Sequence, residues 1–357
     1  MRRRKLSARV RAAGADALLV THLPDVLYLC GFTGSNAALL LIGSRATLFT
    51  DGRYIAQSAA EVKGATVVIA KKPVTVAAME ALAEAGVRRC GFDASRTTVA
   101  GLEAMRKALP VKLRKRLLKP VPPLVASLRE IKDAYEIEAM REAAALGCWL
   151  FDNVFEHIVP GATEMEVALA LEFTARMAGA EAMSFETIVA GGVRSALPHG
   201  KATNAKLPRR GFCVLDFGVV LGGYCSDMTR TVHIGKASKE ERVVYEAVLE
   251  AQEAGVAAVR AGVTCAAVDA AARSVLKARK LDEFFTHSTG HGVGIEIHEA
   301  PRLAAKQKQT LKAGMVITIE PGVYMPGKFG VRIEDTVLVT ATGCEILTPS
   351  TKALIEL

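Results

Sequence analysis

No apolar run in the chain approaches the ~18 residues that span a bilayer, so no membrane-spanning helix is expected. Its basic opening, Arg2–Arg11, leads into an apolar stretch that Asp16 interrupts, which argues against a secretory leader. The seven cysteines, scattered from Cys30 to Cys344, include no CxxC pair. So odd and dispersed a set excludes a disulfide framework and a zinc knuckle, and it suits a reduced, cytoplasmic protein. Aromatic residues make up only 5% of the chain, and the single tryptophan, Trp149, falls in an apolar helical stretch and is expected in the core. Also missing are a Walker P-loop, a GxGxxG turn after a strand, a GxSxG elbow and an HExxH helix. His298-Glu299-Ala300-Pro301 is not a zincin motif.

What remains is ample for folding. Of the 357 residues half are hydrophobic and 23% are charged, which excludes a disordered chain. At ~150 residues per domain the length suggests two. The net charge of +9 is uneven: residues 1–125 hold 21 Lys+Arg against 8 Asp+Glu, leaving 25 and 29 for the remainder. The basic clusters Arg2–Arg11 and Arg106–Lys119 lack interleaved aromatics. They read as a solvated basic face, and no nucleic-acid partner is expected. Pro120, Pro122 and Pro123 cannot lie inside a helix and mark a boundary. We expect domains at 1–124 and 125–357, with a helix from near Ser127 carrying Leu128, Ile131, Tyr135 and Met140 at helical spacing. Before the boundary, apolar runs alternate with alanine-rich helical stretches, the pattern of an α/β domain with a mixed sheet. Gly31–Ser35 reads there as a turn between strands.

After the boundary the pattern is α+β, and it repeats. PGATEMEVALALEFT (160–174) resembles AGVTCAAVDAAARSV (261–275), and GFCVLDFGV (211–219) parallels AGMVITIEPGV (313–323). Asp216 then matches Glu320, and Gly218 matches Gly322. The common order and near-constant offset favour a duplicated helix–helix–hairpin unit with pseudo-twofold symmetry. Thr163 with Glu166, and Ser238 with Glu241, form capping-box patterns that open helices.

The hairpins carry the chemistry. VLDFGVVLGGYCSDMTRTVHI surrounds Gly222-Gly223, and a hairpin centred between Leu221 and Gly222 sets Asp216 directly opposite Asp227. VITIEPGVYMPGKFGVRIEDTVLVT, centred on Gly327, sets Glu320 opposite Glu334. Four carboxylates from two repeat-related hairpins cannot all ionise in a partly buried site without cations. His291, flanked by glycines, adds an imidazole. Such a set suits two divalent metals about 3.5–4 Å apart. Hard oxygen donors favour manganese, with cobalt, iron or zinc as alternatives.

Taken together, LDFG…YCSDMTRT, HSTGHGVGIEIHEAP, IEPGVY and VRIEDTVLV resemble the signature segments of the pita-bread metallopeptidases, and more narrowly the aminopeptidase P/prolidase branch. The resemblance extends to SFETIVAGGVRSALPHG and, in the N-terminal half, to LPDVLYLCGFTGSNAALLLI and TDGRYIAQ, which are similar to a creatinase-type domain. It implies an α/β N-terminal domain, a pita-bread catalytic domain, and hydrolysis of the bond between an N-terminal residue and a following proline. By the same resemblance Asp216, Asp227, His291, Glu320 and Glu334 match the five metal ligands, with Asp227 and Glu334 bridging. His199 and His298 match histidines that attend the scissile carbonyl and the tetrahedral intermediate, His287 a further pocket histidine, and Arg332 an arginine supporting the metal carboxylates.

The roles also stand on their chemistry. A hydroxide bridging two cations is nucleophilic at neutral pH. Glu320 can carry the proton to the leaving nitrogen, and the two imidazoles can donate to the oxyanion. The resemblance further implies a homodimer. Restriction to Xaa-Pro dipeptides is the first alternative; it would need a cation for the substrate carboxylate, for which Arg53, Arg194 and Arg302 are the candidates. An inactive relative that binds peptides is the second alternative, and the intact ligand set argues against it.

Overall fold

Short leucine- and valine-rich runs bounded by turn residues make the strands of the N-terminal third. The computed structural model describes residues 2–357; residues up to Arg129 form one compact unit and Glu130–Leu357 another. The first unit holds β1 (Ala17–Val20), β2 (Ala37–Ile42), β3 (Arg45–Thr50), β4 (Thr66–Ile69), β5 (Cys90–Asp93) and β6 (Leu118–Val121). They form one sheet in the order β4-β3-β2-β1-β5-β6. β1–β2 and β2–β3 are antiparallel and the other pairs parallel, the mixed sheet expected. Helices α1 (Arg2–Ala12), α2 (Leu23–Cys30), α3 (Ile55–Glu61), α4 (Val74–Glu84) and α5 (Val99–Ala108) complete it. Leu19, Leu40 and Phe49 pack with Met79 and Leu82 of α4 in its core.

Gly31–Ser35 is not a strand-to-strand turn. LPDVLYLC forms α2, with proline at its start and Gly31 capping its end at φ 82°, so the segment joins helix to strand. The apolar stretch from Val26 to Cys30 fits either element by periodicity alone, and the proline-to-glycine bracket decides.

The helix expected from Ser127 is two helices. α6 (Ala126–Arg129) is a single turn whose buried Arg129 donates to Asp25 at 2.7 Å. α7 (Ala134–Asn153) restarts on a full capping box between Asp133 and Glu136. The apparent periodicity ran across the break, and Ile131 and Tyr135 are exposed. Trp149 is also 47% exposed and not core, because α7 buries the face of Ala143, Gly147 and Leu150, to which position 149 is out of phase.

The second unit repeats itself. α7 and α8 (Glu164–Met177) precede β7 (Ala182–Met183), β8 (Ile188–Gly191), β9 (Gly211–Phe217), β10 (Val219–Leu221), β11 (Tyr224–Cys225) and β12 (Met228–Ile234). α9 (Lys239–Ala258) and α10 (Cys265–Ala278) precede β13 (Gly290–Gly292), β14 (Glu299–Leu303), β15 (Val316–Ile319), β16 (Gly322–Met325), β17 (Phe329–Arg332), β18 (Asp335–Val339) and β19 (Cys344–Ile346). The order β12-β9-β8 in one sheet recurs as β18-β15-β13 in another. Both expected capping boxes form, at Thr163–Glu166 opening α8 and Ser238–Glu241 opening α9. No helix among the described residues is long and apolar enough to cross a membrane.

Candidate metal centre

Strands that bend at a glycine or a break expose polar residues where two sheets part. At Gly218 an added Cβ would lie 1.9 Å from the Ser226 carbonyl oxygen, so only glycine lets the two strands touch there. The Gly222-Gly223 turn has both residues at positive φ (58° and 76°) and pairs Leu221 with Tyr224. The hairpin is therefore centred between the glycines, and Asp216 faces Thr229 instead of Asp227. A shift of two residues preserves the side of the sheet. Asp216, Asp227 and Glu334 still offer ligand atoms within 4.8 Å of one another.

The second hairpin has the expected register. Gly322 pairs with Arg332 and Ile319 with Asp335, so Glu320 and Glu334 oppose each other at the gap between β15/β18 and β16/β17. His291 Nε2 lies 3.6 Å from both Asp227 Oδ2 and Glu320 Oε1, beyond hydrogen-bond reach. Its Nδ1 lies 3.0 Å from the Gly292 carbonyl, which fixes the proton on Nδ1 and leaves an Nε2 lone pair facing the carboxylates. At Gly290 an added Cβ would lie 1.9 Å from the Thr318 oxygen, so glycine is what lets this strand come close.

The electrostatics are lopsided. Among the described residues, Arg332 is the only lysine or arginine hydrogen-bonded to the four carboxylates, donating from Nη2 to Asp216 at 2.5 Å. Asp227 and Glu334 are buried. Burial and the neighbouring Glu334 hold the Asp227 carboxyl well above its usual range. The same two causes raise Glu320. Burial and Asp216 push Glu334 up to about 8, although it accepts from Thr229 Oγ1 at 2.7 Å. Burial and the nearby His298 bring His291 down to about 4, leaving it neutral. One guanidinium cannot balance four carboxylates, and the donors are carboxylate oxygens and a neutral imidazole. This set fits divalent cations.

Around the carboxylates a cleft of about 650 Å³ is lined by His199, His287, His298, Arg302 and Arg332 among others. The His291 and His298 rings are 4.4 Å apart. Burial and His199 lower the His298 pKa. Burial and Arg332 bring His287 down to about 4. Sequence reasoning missed Tyr324, whose hydroxyl accepts from Arg332 Nη1 at 2.6 Å and lies 2.9 Å from His287 Nε2. It also missed Thr229, which accepts from Arg332 Nε at 3.1 Å and donates to Glu334. The signal available for Thr229 was its pairing with Asp216; Tyr324, in an apolar strand, gave none.

The three candidate arginines separate. Arg53 is held by Asp51 at 2.9 Å in the N-terminal unit. Arg194 is held by Glu164 at 2.9 Å and is not spare. Arg302 is exposed on the cleft wall, and its guanidinium makes no hydrogen bond among the described residues.

A duplicated helix–strand unit with a carboxylate cluster between its hairpins is the arrangement of a metal-dependent hydrolase. The family model described as "Metallopeptidase family M24" matches residues 138–341, and "Creatinase/Prolidase N-terminal domain" matches residues 2–131. The chain belongs to metallopeptidase family M24, with a creatinase-type N-terminal domain ahead of a pita-bread domain. It is 38% identical over 357 residues to an uncharacterized peptidase of Bacillus subtilis, covering 100% of both chains. The solved structure of an Xaa-Pro dipeptidase from Bacillus anthracis is similar with a TM-score of 0.96 at 39% identity, covering 100% of this chain and 99% of that one. An X-Pro aminopeptidase structure from Thermotoga maritima gives 0.90 at 35% identity, covering 97% and 99%. Family membership implies divalent metal ions in a working enzyme.

Proposed function

We propose that this metallopeptidase hydrolyses the bond between an N-terminal residue and a following proline, with two divalent ions, manganese by preference, held by Asp216, Asp227, His291, Glu320 and Glu334. The observation that carries the reading is the buried carboxylate cluster with one guanidinium beside it and the His291 lone pair turned inward. The Xaa-Pro peptidases among the chain's relatives support the substrate class. Bound cations supply Lewis acidity, which makes a water acidic enough to attack at neutral pH. Glu320 accepts the proton of the attacking water and returns it to the proline nitrogen. His199 and His298 donate to the carbonyl oxygen as charge develops on it. Arg332 holds Asp216 in place and, through Tyr324, orients His287 at the cleft wall. Every metal-ligating position carries a donor side chain, which supports an active enzyme over a peptide-binding relative.

A second reading narrows the substrate to dipeptides. It is favoured by Arg302, an unengaged guanidinium on the cleft wall that can take a substrate carboxylate bidentately. With either reading go a catalytic domain beginning near residue 125, a homodimer, and residence in the cytoplasm, the last in keeping with seven dispersed cysteines. The test is hydrolysis of Ala-Pro, Ala-Pro-Ala and Ala-Ala by manganese-loaded protein. Cleavage of both proline peptides with Ala-Ala untouched supports the main reading, and cleavage of Ala-Pro alone the narrower one. Equal cleavage of Ala-Ala overturns both.

A further inference from the structure

The His199 imidazole makes no hydrogen bond among the described residues and is exposed in the cleft. Only the backbone of its own loop aims it. That loop leaves β8 at Gly191 and returns at Thr203, and both of its feet are tied to one buried carboxylate, Glu164, the first residue of α8. Glu164 is 1% exposed. It accepts from the Gly191 amide at 3.0 Å, the Thr203 amide at 3.1 Å and the Thr203 hydroxyl at 2.8 Å. Arg194 donates to both its oxygens, at 2.9 and 3.0 Å, and spans the loop by donating from Nη2 to the Lys201 carbonyl at 2.8 Å. The tip is fastened separately, by Arg332 donating to the Pro198 carbonyl at 2.9 Å. The α8 N-terminus favours a carboxylate at this position.

We propose that Glu164, together with Arg194, is a positioning residue for His199, fixing the base of the loop so that the imidazole points into the cleft. The proposal rests on the reading of His199 as a donor to the reacting carbonyl. Glu164 touches neither the carboxylate cluster nor the cleft. Its loss should therefore act on the step that needs His199 and spare metal binding. Glutamine at 164 keeps the shape but turns an NH2 group toward amide donors, which leaves one foot of the loop unpaired.

The experiment is a double-mutant cycle on the full, manganese-loaded chain with an Ala-Pro peptide. Glu164→Gln should lower kcat by about tenfold with KM little changed, the signature of a group needed in the transition state. Metal content should match wild type, and amide hydrogen exchange across 191–203 should quicken. In a His199→Ala background the same change should cost less than about twofold, because the residue it aims is gone. Arg194→Met, at a partly exposed side chain, is the milder arm should Glu164→Gln fold poorly, and it should show the same non-additivity. Unchanged turnover in His199→Ala overturns the reading of His199 and the proposal with it. A slowed His199→Ala with a fully additive Glu164→Gln, or loss of metal in Glu164→Gln, overturns the proposal alone.

Discussion

Glu320 and His298 sit a few residues from His291 or Glu334 in space, yet they should answer differently to truncation. Glu320 belongs to the carboxylate cluster and carries the proton; His298 faces the cleft beside it. Each alanine variant should lose at least ~100-fold in turnover. Glu320→Ala should also bind less metal, whereas His298→Ala should keep its metal, measured by elemental analysis. A metal-poor His298→Ala protein would show that its imidazole belongs with the ligands. Arg302→Met should raise KM for Ala-Pro by about tenfold or more, the value of a charge-assisted pair, with little change for an amidated Ala-Pro peptide. Equal effects on both would remove the carboxylate role. At this scale the sequence showed acidic residues stranded among apolar neighbours, which is why the cluster could be picked out. It did not show partners distant along the chain. Arg194 stood among the candidates for the substrate carboxylate because Glu164 lies thirty positions away, and Tyr324 gave no signal because a strand pattern says nothing about what a hydroxyl meets.

Between elements, register decided how much was legible. In the second hairpin the turn around Gly327 gives Gly322↔Arg332, and the opposition of Glu320 and Glu334 followed from counting. In the first, two positive-φ glycines form the whole turn, and the count was off by two. The period of two in a strand rescued the inference, since an even slip keeps Asp216 and Asp227 on one side. The same logic could not separate α6 from α7, where apolar residues kept helical spacing across a break that only the Asp133 capping box marks. Close strand approach yields a test of its own. An alanine Cβ at Gly290 would lie 1.9 Å from a backbone oxygen, and backbone cannot step aside as a side-chain tip can. Gly290→Ala should cost on the order of 2–3 kcal/mol of stability in urea unfolding of metal-free protein. It should also weaken metal binding through the neighbouring His291. A variant as stable as the parent would show that the strands do not press together there.

At the scale of the whole molecule the metal-free cluster is a pH-dependent weakness of the second unit. Asp227, Glu320 and Glu334 all have raised carboxyl pKa values, Glu334 to about 8. A raised folded pKa means the folded chain holds protons that the unfolded chain has released. That stability is present below the unfolded value near 4.5 and is lost as pH rises toward 8. His287 and His291, lowered to about 4, act in the opposite direction, since their contribution is lost as pH falls below 6.5. The two trends overlap in acid, whereas from pH 6.5 to 8 each unfolded histidine gives up only its remaining half proton, an opposing gain of about 0.4 kcal/mol, and the carboxylates dominate. Metal-free protein should therefore lose on the order of 1–2 kcal/mol between pH 6.5 and 8 from Glu334 alone. At ~2–4 °C per kcal/mol for a unit of this size, the melting temperature should fall by several degrees. Saturating manganese replaces the protons, so its stabilising effect should be larger at pH 8 than at pH 6.5. The N-terminal unit has none of these groups, so a transition it contributes on its own serves as an internal reference within the same scan. Calorimetry of stripped and manganese-loaded protein at the two pH values measures all four states. A metal-free melting temperature of the second unit that holds steady or climbs from pH 6.5 to 8 would mean that the carboxylates are already balanced without cations, and the case for a metal centre at these residues would fall with it.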